Sequence, residues 1–183
     1  MSNAASVLGG VVAEGFVTVR DAGLAGMVTV RADLSDAATV AALGSCRITV
    51  QAVRQIADGV AWMAPDEVLL ITEYADAPEL AQKVQAALAE THALVHVVSD
   101  ARAVVRVEGA GTQEVLAKLC PVDIATLAPG EVRRTRLAQV AAAFWLEDPE
   151  TAQIICFRSV ADYVFGALKM SARAGSEVGV FAR

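Results

Sequence analysis

The chain has 183 residues, 55% hydrophobic and 20% charged, which is enough apolar material for a sizeable core in one domain or one internally duplicated domain. Its formal net charge of −6 excludes nucleic acid as an expected partner, because phosphate binding needs a basic face. The longest apolar run, Val140 to Leu146, is far short of the ~20 residues of a spanning helix, and Met1-Ser2-Asn3-Ala4 has no basic-then-apolar leader pattern, so the expectation is no membrane partner and a cytoplasmic location.

Residues 1–20 contain Gly9-Gly10 and Gly15 and predict a flexible N-terminal arm that orders on a partner, ahead of a single domain over 21–183. A first strand is expected over 24–32, around Met27-Val28-Thr29-Val30. Ser35 is placed to cap a short helix over Asp36–Leu43. Ile48 to Val60 mixes apolar and polar residues without a clear period. Trp62 to Glu67 forms a strand end and turn, and Val68–Thr72 a strand apolar enough to be buried on both faces. Leu80, Val84, Ala87 and Leu88 recur at helical spacing, which predicts a helix over Ala77–Thr91 with Asp76 and Glu79 as a capping pair and Pro78 in its first turn. Leu94–Ser99 and Arg102–Gly109 read as a hairpin across Ser99-Asp100. Thr112 is placed to cap a helix that Pro121 ends by forcing Cys120 out of helical geometry. Leu137–Leu146 and Gln153–Phe157 form a hairpin across Asp148-Pro149. Ser159 and Asp162 cap a last helix over Val160–Arg173, and Val178–Phe181 closes the sheet. Hairpins mixed with helices give an α+β fold with largely antiparallel sheets covered by helices. The likeness of the two halves permits a duplicated ferredoxin-like arrangement.

Few residues have the look of a reaction centre. His92 and His96 straddle a helix end and a strand, which is poor metal geometry. Asp66-Glu67 sits in a turn, where solvation or capping is favoured over acid–base work. Cys46, Cys120 and Cys156 are odd in number with no Cys-x-x-Cys pair, so reduced thiols are expected, with Cys120 a structural residue rather than a nucleophile despite nearby Lys118. Gly109-Ala110-Gly111 approaches a nucleotide loop but lacks the third glycine and a parallel context. Arg133, Arg134 and Arg136 make the densest positive cluster of an acidic chain. They suit either a solvated strand end or an ionic clamp on carboxylates. No catalytic, cofactor-binding or metal residue is expected. The expected partner-interface residues are Trp62, Asp66, Arg133, Arg134 and Arg136, because aromatics and arginines dominate interface energetics.

Two strings carry a resemblance. Trp62-Met63-Ala64-Pro65-Asp66-Glu67-Val68-Leu69-Leu70, and Leu116–Asp123 followed by Pro129-Gly130, Arg134-Thr135 and Leu137–Val140, together resemble the gamma subunit of heterotetrameric sarcosine oxidase. The order and spacing agree over roughly 24–173. Val68 stands where that family commonly has tryptophan and Ala64 where it commonly has glycine, and the smaller Val68 should alter a packing or contact surface. The resemblance implies an accessory subunit, not itself catalytic, of a complex that demethylates sarcosine to glycine. It also implies a fold like the folate-binding domain of aminomethyltransferase. It places FAD, FMN, NAD and tetrahydrofolate in partner subunits, and makes the alpha, beta and delta subunits the partners. The alternative is a stand-alone folate-binding or aminomethyltransferase-like protein. That class carries Lys-Gly-Cys where this chain has Lys118-Leu119-Cys120.

Overall fold

A computed structural model of the chain describes residues 4–179 and 181. In chain order its elements are β1 (Val12–Glu14), β2 (Thr18–Asp21), β3 (Gly26–Arg31), α1 (Ala37–Ser45), β4 (Ile56–Ala57), β5 (Val60–Ala64), β6 (Glu67–Thr72), α2 (Ala77–Ala87), β7 (Leu94–Val97), β8 (Arg102–Glu108), α3 (Thr112–Leu119), β9 (Val132–Leu137), β10 (Val140–Asp148), β11 (Thr151–Phe157) and α4 (Ala161–Ser171). They fall into two compact units, residues 25–100 and residues 1–24 with 101–183.

The unit of residues 25–100 has an antiparallel sheet in the order β4-β5-β6-β3-β7. Its run β3-α1-β5-β6-α2-β7 is a β-α-β-β-α-β ferredoxin-like unit with the short β4 added outside β5. Val28, Val30, Leu43, Val68, Leu70 and Val84 form its core. Val68, Leu69 and Leu70 are all buried, as a strand covered on both faces should be. Val68 is fully buried in that core, so a change of side-chain size there alters packing and not a contact surface.

The second unit repeats the pattern with a different origin for one strand. Its sheet runs β1-β2-β8-β11-β10-β9, all antiparallel. Here β8, β10 and β11 hold the places of β3, β5 and β6. β9 corresponds to β4, and β2 from the N-terminal segment takes the outer place that β7 fills in the other unit. Val19, Val105, Val107, Leu116, Phe144, Ile154 and Leu168 make the core under α3 and α4. The α+β class, the antiparallel sheets and the ferredoxin-like duplication read from the sequence are therefore those of the molecule.

Several local expectations change. The segment expected to be a loose arm holds β1 and β2. Val17 and Val19 are buried, and Phe16 N donates to Ala172 O at 2.9 Å where Gly15 has no Cβ to obstruct the approach. The segment before residue 25 joins the unit that begins at residue 101 because β2 pairs with β8, a strand remote in sequence. β7 and β8 do not form a hairpin. β7 pairs with β3 and β8 with β2 and β11, and a 3-10 turn at Ser99–Ala101 separates them, with Ser99 Oγ accepting from Met27 N at 2.9 Å. Asp36, not Ser35, caps α1, accepting from Thr39 N at 2.8 Å. Asp76 does not cap α2, and no side chain caps α3 or α4. α2 and α4 are instead entered through 3-10 turns at Tyr74–Asp76 and Arg158–Val160, which close the first hydrogen bonds themselves. Thr112 donates its hydroxyl to Glu150 O at 2.8 Å. α2 ends at Ala87 rather than Thr91. Val178 and Gly179 are not in a strand, and Val180 lies outside the described residues. No helix among the described residues is long and apolar enough to cross a membrane.

Candidate functional site

The Lys118–Val140 stretch closes on itself in the unit of residues 1–24 and 101–183. Cys120 is extended at φ −117 and ψ 134 before Pro121, as the residue preceding a proline should be, and its N–H still returns to Leu116 O at 2.8 Å. Ala138, in the β9–β10 turn with φ +49, donates its N–H to Leu119 O at 2.8 Å. A depression of about 480 Å³ results, lined by Lys118, Leu119, Cys120, Pro121, Arg136 and Ala138.

Nothing in that depression is armed for nucleophilic chemistry. Burial pushes the Cys120 thiol up to about 12, far from the thiolate that attack requires. The Lys118 ammonium is spent on structure. It donates to Ser176 O at 2.7 Å and Ser171 O at 3.3 Å, pairs with Glu114 at 3.0 Å, and stands 4.8 Å over the Phe16 ring. Glu114 accepts from Val178 N and Gly179 N at 2.6 and 2.9 Å, and these bonds, with Lys118, hold its carboxyl below the ordinary range. Lys118 and Glu114 thus clamp the C-terminal segment onto α3.

The arginine cluster is divided by the strand that carries it. Arg134 is opposite Ala143 and Arg136 opposite Ala141, on the face away from the helices, and both are exposed. Arg133 is opposite the core residue Phe144 and pairs with Glu131 at 3.2 Å. Of the three arginines, Arg134 and Arg136 therefore share one face of β9 and Arg133 lies on the other. The face of Arg134 and Arg136 carries an ionic lattice in which Arg106 and Glu108, neighbours on one strand face, are joined by a residue remote in sequence. Arg20 and Arg106 are directly opposed across β2 and β8, a repulsive placement that Glu108 relieves by bonding Arg20 at 2.7 Å and Arg106 at 2.6 Å. Those bonds, Arg20 first, draw the Glu108 carboxyl down to about 2 against the opposing effect of burial. Arg106 also reaches Glu147 at 2.7 Å. Arg20 and Glu108 lie 88 positions apart, so no motif could have joined them.

In the unit of residues 25–100 the Trp62 hairpin makes a second surface. Trp62 is half-buried opposite Val68, and Asp66 is exposed in the turn. Arg31 pairs with Glu67 at 2.8 Å and stands 3.7 Å from Asp66. Glu67 is buried and also accepts from Thr29 Oγ1 at 3.0 Å. The paired carboxylates are thus separated in role: Glu67 anchors β3 to β6, and Asp66 faces solvent. A depression of about 690 Å³ opens here, lined by Arg31, Asp33, Asp66, His92 and Leu94 among others. Arg31, His92 and Leu94 were not among the expected contact residues, although Leu94 is 54% exposed.

The remaining candidates are structural. The Gly109–Gly111 turn is filled by Phe16 and Val17, so a side chain at Gly111 would strike the Phe16 ring and no phosphate cradle is formed. Burial raises the Cys156 thiol to about 11, with Arg102 opposing. Among the described residues no group of three or more His, Cys, Asp or Glu could hold a metal ion.

A sequence model of the sarcosine oxidase gamma subunit family matches residues 30–174. No curated protein matches the chain. Among solved structures, a heterotetrameric sarcosine oxidase from Corynebacterium sp. U-96, in complex with pyrrole 2-carboxylate, is similar with a TM-score of 0.77 and 24% identity, covering 85% of this chain and 83% of that one. A glycine cleavage system aminomethyltransferase T from Bartonella henselae is similar with a TM-score of 0.59 and 11% identity, covering 82% of this chain and 44% of that one. These two likenesses show the fold.

Proposed function

This chain belongs to the sarcosine oxidase gamma subunit family, and from that premise we propose that it is the accessory, non-catalytic member of a complex that oxidatively demethylates sarcosine. The carrying observation is the reach of the family match, which spans both compact units rather than one motif.

The chain's own chemistry supports the accessory role. Its lysine beside the Cys120 depression is committed to backbone carbonyls, its buried thiols Cys120 and Cys156 are protonated near neutrality, and Arg20 and Arg106 are paired with Glu108. In this reading FAD, FMN, NAD and tetrahydrofolate reside in the alpha, beta and delta subunits, in the cytoplasm. This subunit meets its partners through Trp62 and Asp66 on one unit and Arg134 and Arg136 on the other.

Two measurements test this. The pure chain titrated with tetrahydrofolate should give no saturable heat, whereas stoichiometric binding would favour the stand-alone folate-binding reading. Arg134→Ala should weaken co-assembly on size exclusion while altering the isolated chain's stability by no more than ~0.5 kcal/mol, as expected for an exposed position. Unchanged assembly would remove Arg134 from the interface.

A further inference from the structure

β7 is the one sheet edge among the described residues that is neither minimal nor guarded by charge. The outermost strands β1 and β4 are three and two residues long. β9 carries Arg133, Arg134 and Arg136. Short strands and charges are the usual means of preventing a sheet from pairing further. β7 reads Leu94-Val95-His96-Val97, has no Asp, Glu, Lys or Arg, and pairs on one side only, with β3.

The register tells which backbone groups are free. Val98 N donates to Met27 O at 2.8 Å, and the paired residues are Val28 with Val97, Thr29 with His96, Val30 with Val95 and Arg31 with Leu94. In an antiparallel ladder, hydrogen-bonded and non-hydrogen-bonded pairs alternate. Leu94 and His96 therefore direct their N–H and C=O groups at β3, and Val95 and Val97 direct theirs outward. Among the described residues no strand meets that outward side. Val95 and Val97 pack their side chains against the core, which holds the edge straight and in place.

The end of the edge supplies a charge preference. Leu94 opens into the depression with Arg31, Asp33 and Asp66. The Arg31 guanidinium is held by Glu67 at 2.8 Å, while Asp66 stands 3.7 Å away with a 59% exposed side chain. Two carboxylates against one guanidinium already shared with a third leave this rim acidic.

We propose that the outer edge of β7 is a docking strand, which takes an extended segment of a larger subunit as an added strand with a lysine or arginine seated beside Asp66. This rests on the gamma subunit reading and names the surface that reading uses. Main-chain bonds to Val95 and Val97 would give affinity, and the acidic rim would fix the register.

Hydrogen–deuterium exchange on the full chain, alone and in the co-expressed complex, tests it. The Val95 and Val97 amides should exchange at least ~10-fold more slowly once assembled, because opening the added strand becomes a condition for exchange. Leu94→Lys, a charge at an edge, should weaken assembly by ~10-fold or more without lowering the isolated chain's melting temperature, and Asp66→Lys should weaken it in the same direction. Unchanged exchange at Val95 and Val97 in an assembled complex overturns the docking strand and leaves the gamma subunit reading intact. A wild-type chain that joins no larger subunit overturns both. Protection of these amides in the isolated chain together with a doubled mass means that a second copy occupies the edge, and overturns the proposal.

Discussion

The two units share a strand order and differ in how they finish it. In residues 25–100 the outer strand β7 follows α2 directly, as a continuous ferredoxin-like unit requires. In the other unit α4 is followed by no such strand among the described residues, and the place is taken by β2, which is in turn covered by β1. One sheet closes its flank with a hairpin from the opposite end of the sequence and bristles with arginine on the far edge. The other leaves four residues of uncharged strand open. A duplicated architecture thus separates two tasks, with one repeat sealed and the other retaining a free edge for contact.

Removing residues 1–21 is the strongest way to break this comparison. It strips β2 from β8 and uncovers the Val105–Val107 side of the core, so the affected unit should lose at least ~3 kcal/mol, since burying Val17 and Val19 alone contributes ~1.5–3 kcal/mol each. Chemical denaturation reads this. A truncated chain as stable as the full one would return the segment to a loose arm.

Core truncations ask whether the repeats are of equal strength. Phe144→Ala in one core should cost ~3–5 kcal/mol and Leu43→Ala in the other ~2–5 kcal/mol, both side chains being fully buried. A loss below ~1 kcal/mol at either site would show that its unit contributes little to the cooperative fold.

Glu114→Gln sharpens the comparison at the C-terminal clamp, a feature of one unit only. The neutral amide keeps the shape but loses the charge that faces Lys118 and the two backbone amides of Val178 and Gly179. Limited proteolysis should cut after Arg173 faster in the variant. An unchanged rate would mean that the clamp does not hold the segment.

The smallest effect is electrostatic. Glu108 has its folded pKa drawn down to about 2, below the unfolded value of ~4.3, so its contribution is fully present above about pH 5 and is lost as pH falls through 4 toward 2. Because Arg20 and Glu108 are more than a third exposed, screening keeps that contribution below ~1 kcal/mol. Arg20→Met should flatten the acid limb of the stability curve. An identical acid limb would deny the lattice any role in stability.

Local periodicity made β3, β6, α2, α3 and the β10–β11 hairpin legible, and Pro121 marked where α3 ends. What stayed hidden depends on partners distant in sequence. Val17 and Val19 alternate with Thr18 and Arg20, a strand pattern, yet the neighbouring glycines Gly9, Gly10 and Gly15 masked it, and only pairing with β8 makes it a strand. β7 and β8 looked like a hairpin because they are adjacent in the chain, whereas each finds its partners elsewhere. Of the expected contact residues, Asp66, Arg134 and Arg136 are exposed, because turns and alternate strand positions are readable. Strand alternation also separates Arg133 from Arg134 and Arg136, which their adjacency in sequence obscures. The Glu114–Lys118 spacing and the Arg106–Glu108 alternation are legible, whereas their partners Arg20, Ser171 and Ser176 are remote in sequence and are not.

The most direct measurement is native mass spectrometry of the complex purified through a tag on this chain, paired with a sarcosine oxidation assay of the chain alone. The account predicts a heterotetramer containing one copy of this chain with three larger or smaller partners, and no turnover by the isolated chain. A chain that purifies alone and oxidises sarcosine, or carries its own flavin, would contradict it.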